Sequence, residues 1–282
     1  MGQLKKTVYK PDTGVDDLLL IIRDFTKNLP QSFNLGYRLA LRNIRAKYRQ
    51  SLFGILWVLL PPLATSGVWI FLRSQNIFDF KGLSVPYPVF VLTGTLLWQV
   101  FSESITILLD NLNHNRSLLT KINFPHESLV FSAVCEIFFA IFVKLILLAA
   151  VLIIFQILPG WQFVFTILGI FALMLLGLTI GLMLIPFAML YKDISLGLPF
   201  ILQFAIYLTP VVYPLPDYKG IGKILAYNPV TPLLTNSREW LFGLSPNSTV
   251  FIWIIFLSLL MMIAGLLLYK LSMQIIIERI GS

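Results

Sequence analysis

Few residues in this chain could run a reaction. Its two histidines, His114 and His126, and its single cysteine, Cys135, do not make up a metal-ligand set. No Gly-x-x-x-x-Gly-Lys-Ser/Thr phosphate loop occurs, and the nearest approach, Gly222-Lys223, runs on into Ile224. No apolar segment carries paired carboxylates at catalytic spacing. What remains is electrostatic chemistry. Arg38, Arg42, Arg45 and Arg49 fall at i, i+4, i+7 and i+11, one stripe of a helix. Such a stripe suits anionic headgroups, a pyrophosphate or the surface of another protein, and periodicity alone does not choose among them. Glu103, Glu136 and Lys144 interrupt otherwise apolar runs. Charges at that depth face a cavity or an opposite charge. Glu136 and Lys144 would stand about 12 Å apart along one helix at 1.5 Å per residue, so each needs its own partner.

The elements that must carry these groups are membrane helices. Of 282 residues, 57% are hydrophobic and 12% charged, and mean hydropathy is +0.85. That composition predicts an all-α integral membrane protein. Six segments are long and apolar enough to span, at 51–72, 86–109, 128–158, 161–191, 194–213 and 249–271. An amphipathic interface helix is expected over Phe33–Gln50, capped by Ser32 or Asn34, at the end of an N-terminal tail covering 1–50. Its apolar stripe is Phe33, Tyr37, Leu41, Ile44 and Tyr48. Asp16–Leu29 reads as another short interfacial helix or a flexible tail. Residues 214–247, rich in proline with short apolar runs, read as one or two re-entrant helices on the outer side. Residues 273–282 form a C-terminal tail.

The positive-inside rule sets the expected orientation. With the N-terminus cytoplasmic, ten Lys/Arg before Ser51 plus Arg116, Lys121, Lys192, Lys270 and Arg279 lie inside, and Arg73, Lys81, Lys219, Lys223 and Arg238 outside. Both termini are therefore expected in the cytoplasm. The net charge of +8 becomes a matter of topology, and nucleic acid is not needed as a partner.

Five stretches together resemble the ABC-2 type exporter permeases of the polysaccharide branch, which handles O-antigen, capsule and teichoic acid. They are RNIRAKYRQSLFGILWVLLPP (Arg42–Pro62), FVLTGTLLWQVFSESI (Phe90–Ile105), NRSLLTKINFPHESLVFSAV (Asn115–Val134), MLYKDISLGLPFILQFAIYLTPVVYP (Met189–Pro214) and YNPVTPLLTNSREWLF (Tyr227–Phe242). The resemblance implies half of a transporter in the bacterial inner membrane. Two copies of the chain would form the pore, and two copies of a separate ATPase, holding ATP and Mg2+, would bind beneath. No cofactor is expected on this chain. The cargo would be a glycan on an undecaprenyl-pyrophosphate type lipid, surrounded by membrane lipid.

By the same resemblance the ATPase would dock on Arg38, Arg42, Arg45 and Arg49. The connection between the second and third spans, with Arg116, Lys121, Phe124, Pro125, His126 and Glu127, and the turn at Lys192 and Asp193, would complete the surface. Within the connection, Asn115 or Ser117 can cap a short helix with an apolar face of Leu118, Leu119 and Ile122. Relatives commonly carry Arg where His126 stands, which makes the local charge depend on pH. Trp57, Phe204 and Tyr207 are expected along the substrate path, where aromatic faces meet sugars, with Glu136 and Lys144 as further candidates. A drug- or lipid-exporting ABC-2 permease shares the fold. A membrane glycan polymerase would need acidic residues in a large loop, and the long outer segment holds only Asp217 and Glu239. No filter-like motif supports an ion channel.

Overall fold

The computed structural model describes residues 15–49, 51–77, 80, 83–116, 125–215, 225 and 227–281, with backbone alone for 15–28, 274, 275 and 277–281. Among these residues the regular elements are all helices. In chain order they are α1 (Val15–Arg49), α2 (Leu60–Ser74), α3 (Tyr87–His114), α4 (Glu127–Ile154), α5 (Phe163–Leu190), α6 (Lys192–Ala205), α7 (Val230–Leu241) and α8 (Thr249–Gly281). Short 3-10 turns, Gly54–Val58 and Ile206–Leu208, precede α2 and follow α6.

Four helices, α3, α4, α5 and α8, are single pieces long and apolar enough to cross a membrane. The other two expected spans are broken, and proline explains both breaks. Pro61 and Pro62 occupy the first turn of α2, where missing N–H groups cost nothing, so the α-helix starts at Leu60 and not at Ser51. Thr209, which precedes Pro210, is extended at φ −132° and ψ 139° and ends the fifth segment early. Tyr191, also extended, separates α5 from α6.

The N-terminal expectation needs correcting as well. Helix α1 begins at Val15 and runs unbroken through Pro30, so neither Ser32 nor Asn34 caps it, and Asp16–Leu29 belongs to the same helix.

Helix α3 is the hub, packed against α2, α4, α5 and α7. Leu97, Trp98, Phe101, Ile105 and Leu108 of α3 are buried with Leu173, Leu182 and Ile185 of α5. Gly177 allows that approach, since a Cβ there would stand 2.7 Å from Ser104 Cβ. Helix α8 leans on α5 and leaves most of its apolar surface outward, including Trp253, Phe256, Leu257 and Ile263.

The short helix α7 packs on α5 and α3. Its Arg238 is buried, lies 3.7 Å from the Phe90 ring centroid, and donates to the carbonyls of Pro210 and Val211 at 3.2 Å. Tyr87 donates to Val212 O at 3.0 Å, and Asn228 to Leu208 O at 3.1 Å. Side chains thus satisfy the carbonyls of Leu208, Pro210, Val211 and Val212 in the irregular backbone after α6, which no helix could pair.

Candidate functional site

Helix α1 lies against α4 through its small side chains. Ser32, Gly36 and Ala40 are each 1% exposed or fall in the buried class, while Phe33 and Tyr37 of the expected apolar stripe stay half-exposed. A Cβ on Gly36 would stand 2.7 Å from Ser128 O and Phe131 Cβ, so only glycine fits at this crossing. Phe33 meets Phe131 edge-on at 5.9 Å, and Tyr48 meets Phe139 at 6.0 Å.

Two turns beyond Gly36, a polar network takes over. Glu136 Oε1 accepts from Asn43 Nδ2 at 2.8 Å, Asn111 Nδ2 at 2.6 Å and Ser132 Oγ at 3.3 Å. Arg42 donates to Asn115 Oδ1 at 2.7 Å, and Asn115 Nδ2 returns to Asn111 O at 2.7 Å. Glu136 therefore serves a joint between α1, α3 and α4. Lys144, buried on α4, pairs with Glu103 on α3. The two charges of α4 do have separate partners, as their spacing required.

Beside the joint, a cavity of about 250 Å³ opens between α1, the first 3-10 turn, α2, α3 and α4. Its walls include Lys47, Tyr48, Trp57, Glu103, Asp110 and Glu136. A neighbouring cavity of about 420 Å³ shares Lys47, Asp110 and Glu136 and adds Asn111 and His114. Carboxylates, an amine and aromatic faces in one recess can hold water and hydroxyl-rich groups.

On the opposite face of α1, Arg38, Arg42, Arg45 and Arg49 are exposed and line an open groove of about 460 Å³. Arg42 alone among them is also tied into the joint. Phe204 and Tyr207, 54% and 51% exposed, lie on the outer face of α6 and the turn after it, away from the Trp57 cavity. Lys192 and Asp193 are exposed at the start of α6 and form no ion pair with each other.

The residues around the start of α4 are fastened to α8. Tyr269 Oη donates to His126 O at 2.8 Å, and Lys270 stands 3.7 Å from Glu127. Burial pushes the His126 imidazole below its ordinary 6.5, although Glu127 pulls it upward. That environment favours the neutral imidazole over the charged one. Lys121, Phe124 and the expected short helix of Ser117–Ile122 lie outside the described residues, while Arg116 is half-buried just beyond α3.

The family model of ABC-2 type transporters matches residues 37–242, which spans α1's basic half through α7. The chain belongs to that family. This ABC-2 chain is 27% identical over 249 residues to the O-antigen export system permease protein RfbA of Myxococcus xanthus, covering 80% of the chain and 92% of the relative. It is 24% identical to an O-antigen export system permease protein of Klebsiella pneumoniae, over 75% of the chain and 84% of the relative. The polysialic acid transport protein KpsM of Escherichia coli is 22% identical over 82% of the chain and 91% of its own length.

The joint of this ABC-2 protein escaped the sequence reading, although its signal was present. Ser32, Gly36, Ala40 and Asn43 on α1 face Ser128, Ser132 and Glu136 on α4, two stripes of small and polar residues spaced by about four.

Proposed function

We propose that this chain is the membrane permease subunit of an ABC exporter of lipid-linked polysaccharide of the O-antigen, capsule or teichoic-acid type. The observation that carries the reading is the family match over 37–242, joined by relatives named for O-antigen export and polysialic acid transport. Those relatives are covered over nearly their whole length, so the same apparatus is available here.

In this reading the chain works as a homodimer in the bacterial inner membrane with both termini cytoplasmic. Gly54–Ser74 and Lys192–Leu208 complete six spans, and 214–247 forms the outer re-entrant region. Two ATPase subunits bind ATP and Mg2+ and supply the energy of hydrolysis. They dock on the arginine face of α1, on the 111–127 connection and on Lys192 and Asp193. The arginine groove also suits the pyrophosphate of an undecaprenyl-type carrier. Trp57, on the wall of the cavity beside the joint, Phe204 on α6 and Tyr207 on the turn after it offer aromatic faces to the glycan. Glu136 and Lys144, both engaged between helices, support the cavity wall and do not act as free ligands.

Coexpression of the tagged chain with its cognate ATPase tests this. A stoichiometric complex that hydrolyses ATP is expected, along with restored surface glycan in a permease-null strain. Arg116→Glu combined with Lys121→Glu should loosen the complex. A chain that purifies alone and restores nothing would end the exporter reading.

A further inference from the structure

The two elements expected to meet the ATPase, α1 and the connection after α3, are not independent. Asn111 and Asn115 close α3 just before that connection, and Glu136 lies two turns into α4 after it. All three are bound to each other or to Arg42 and Asn43 of α1. An asparagine amide donates and accepts at once, so Asn111 and Asn115 can relay contacts between helices without a mobile proton. Glu136 gathers donors from α1, α3 and α4 on a single oxygen, and loss of any one leaves a partly buried carboxylate short of a partner. Gly36 supplies a second, apolar fastening of α1 to α4 two turns away. Sliding α1 along α4 breaks both fastenings together.

The chain leaving α1 is built differently. Between Ser51 and Leu59 there is only a 3-10 turn, with Gly54 at φ +51°. Leu52, Phe53, Leu56 and Trp57 there are all more than half exposed, and proline restarts the helix at α2. Few contacts hold this stretch, and α2 itself rests on α3.

We infer that Asn43, Asn111 and Glu136 are positioning residues that weld α1 and the adjoining ends of α3 and α4 into one rigid block. Force applied at either docking element then reaches both spans as a unit, and bending falls on Ser51–Leu59. The inference rests on the ATP-driven reading above for its role, but the weld itself is a property of this chain alone.

Two measurements separate the two. The first needs no ATPase. Trypsin cleavage at Arg38, Arg42, Arg45 and Arg49 is followed in the purified chain. Glu136→Leu should raise the rate about tenfold, the effect of losing a charged buried hydrogen-bond acceptor on local opening, and Glu136→Gln should stay near wild type. Equal rates in Glu136→Leu and wild type would overturn the weld, whatever the chain transports. The second uses the exporter complex in a Cys135→Ala background. Asn43→Cys with Glu136→Cys should still bind the ATPase and hydrolyse ATP while exporting far less glycan per ATP. Bridging the two thiols with a short bismaleimide should restore export. Normal export without the bridge would show that the weld is not needed, export abolished by the bridge would show that α1 must move against α4, and either would overturn the inference. If the Cys135→Ala parent binds no ATPase, the exporter reading fails, and the trypsin result still decides the weld.

Discussion

Glu103 and Lys144 form an asymmetric pair, because Lys144 is buried while Glu103 reaches the cavity beside Trp57. Glu103→Leu strands an ammonium among apolar helices and should cost about 3–5 kcal/mol. Lys144→Met leaves a carboxylate that can still meet water, so its cost should be smaller. The double variant should recover most of the loss, since the pair's energy counts once. Thermal denaturation in detergent measures all three, and equal costs for the single variants would contradict the asymmetry. The charges themselves were legible in the sequence, because ionisable groups stand out in apolar runs. The partner was not legible. Glu103 precedes Lys144 by 41 positions on a different helix, and no local pattern links them.

At the level of elements, Gly36 governs how α1 is held. Gly36→Leu forces a side chain into the Ser128–Ser132 backbone and should lower stability by about 1–3 kcal/mol, as overpacking does. Gly67→Leu on α2 is the matched control, because nothing lies within 4 Å of its Cβ position. Melting curves that fall equally for both would mean that the α1–α4 crossing is not tight. The helical period of the sequence marked the arginine face and the C-terminal half of α1, but it placed the start at Phe33 instead of Val15 and did not show which residues pack on α4. Hydrophobicity favours the bulky stripe of Phe33 and Tyr37, whereas close helix crossing selects small residues, and Ser32, Gly36 and Ala40 carry too little apolar surface to stand out. Apolar length likewise joined Ser51 to Leu72 into one helix, although Pro61 and Pro62 mark where its hydrogen bonding must begin again.

Across the whole molecule, contacts distant in sequence close the bundle. Tyr269 and Lys270 near the end of α8 hold His126 and Glu127 at the start of α4. The folded His126 binds protons more weakly than the unfolded chain, so its contribution to stability is complete above about pH 6.5 and is lost as pH falls through the depressed folded value. Melting temperature should drop between pH 7.5 and 5.5, and His126→Gln should flatten that part of the profile. An unchanged slope would show that the imidazole is not held neutral by burial. Composition and span length identified a helical membrane protein and the four unbroken helices, among the described residues, that are long and apolar enough to cross a membrane. The joint and the α4–α8 clasp depend on which helices become neighbours, and single-chain periodicity does not encode that directly. The burial of α3 also bears on how the protein is made. During synthesis α3 emerges before α4, α5 and α7, which later cover it, and Glu103 near its centre enters lipid with no Lys144 yet available. A lone acidic residue at that depth disfavours insertion by about 2.5–3.5 kcal/mol. Pairing with Lys144 once α4 follows removes that cost, so retention of α3 beside the nascent chain until α4 arrives favours assembly of this bundle.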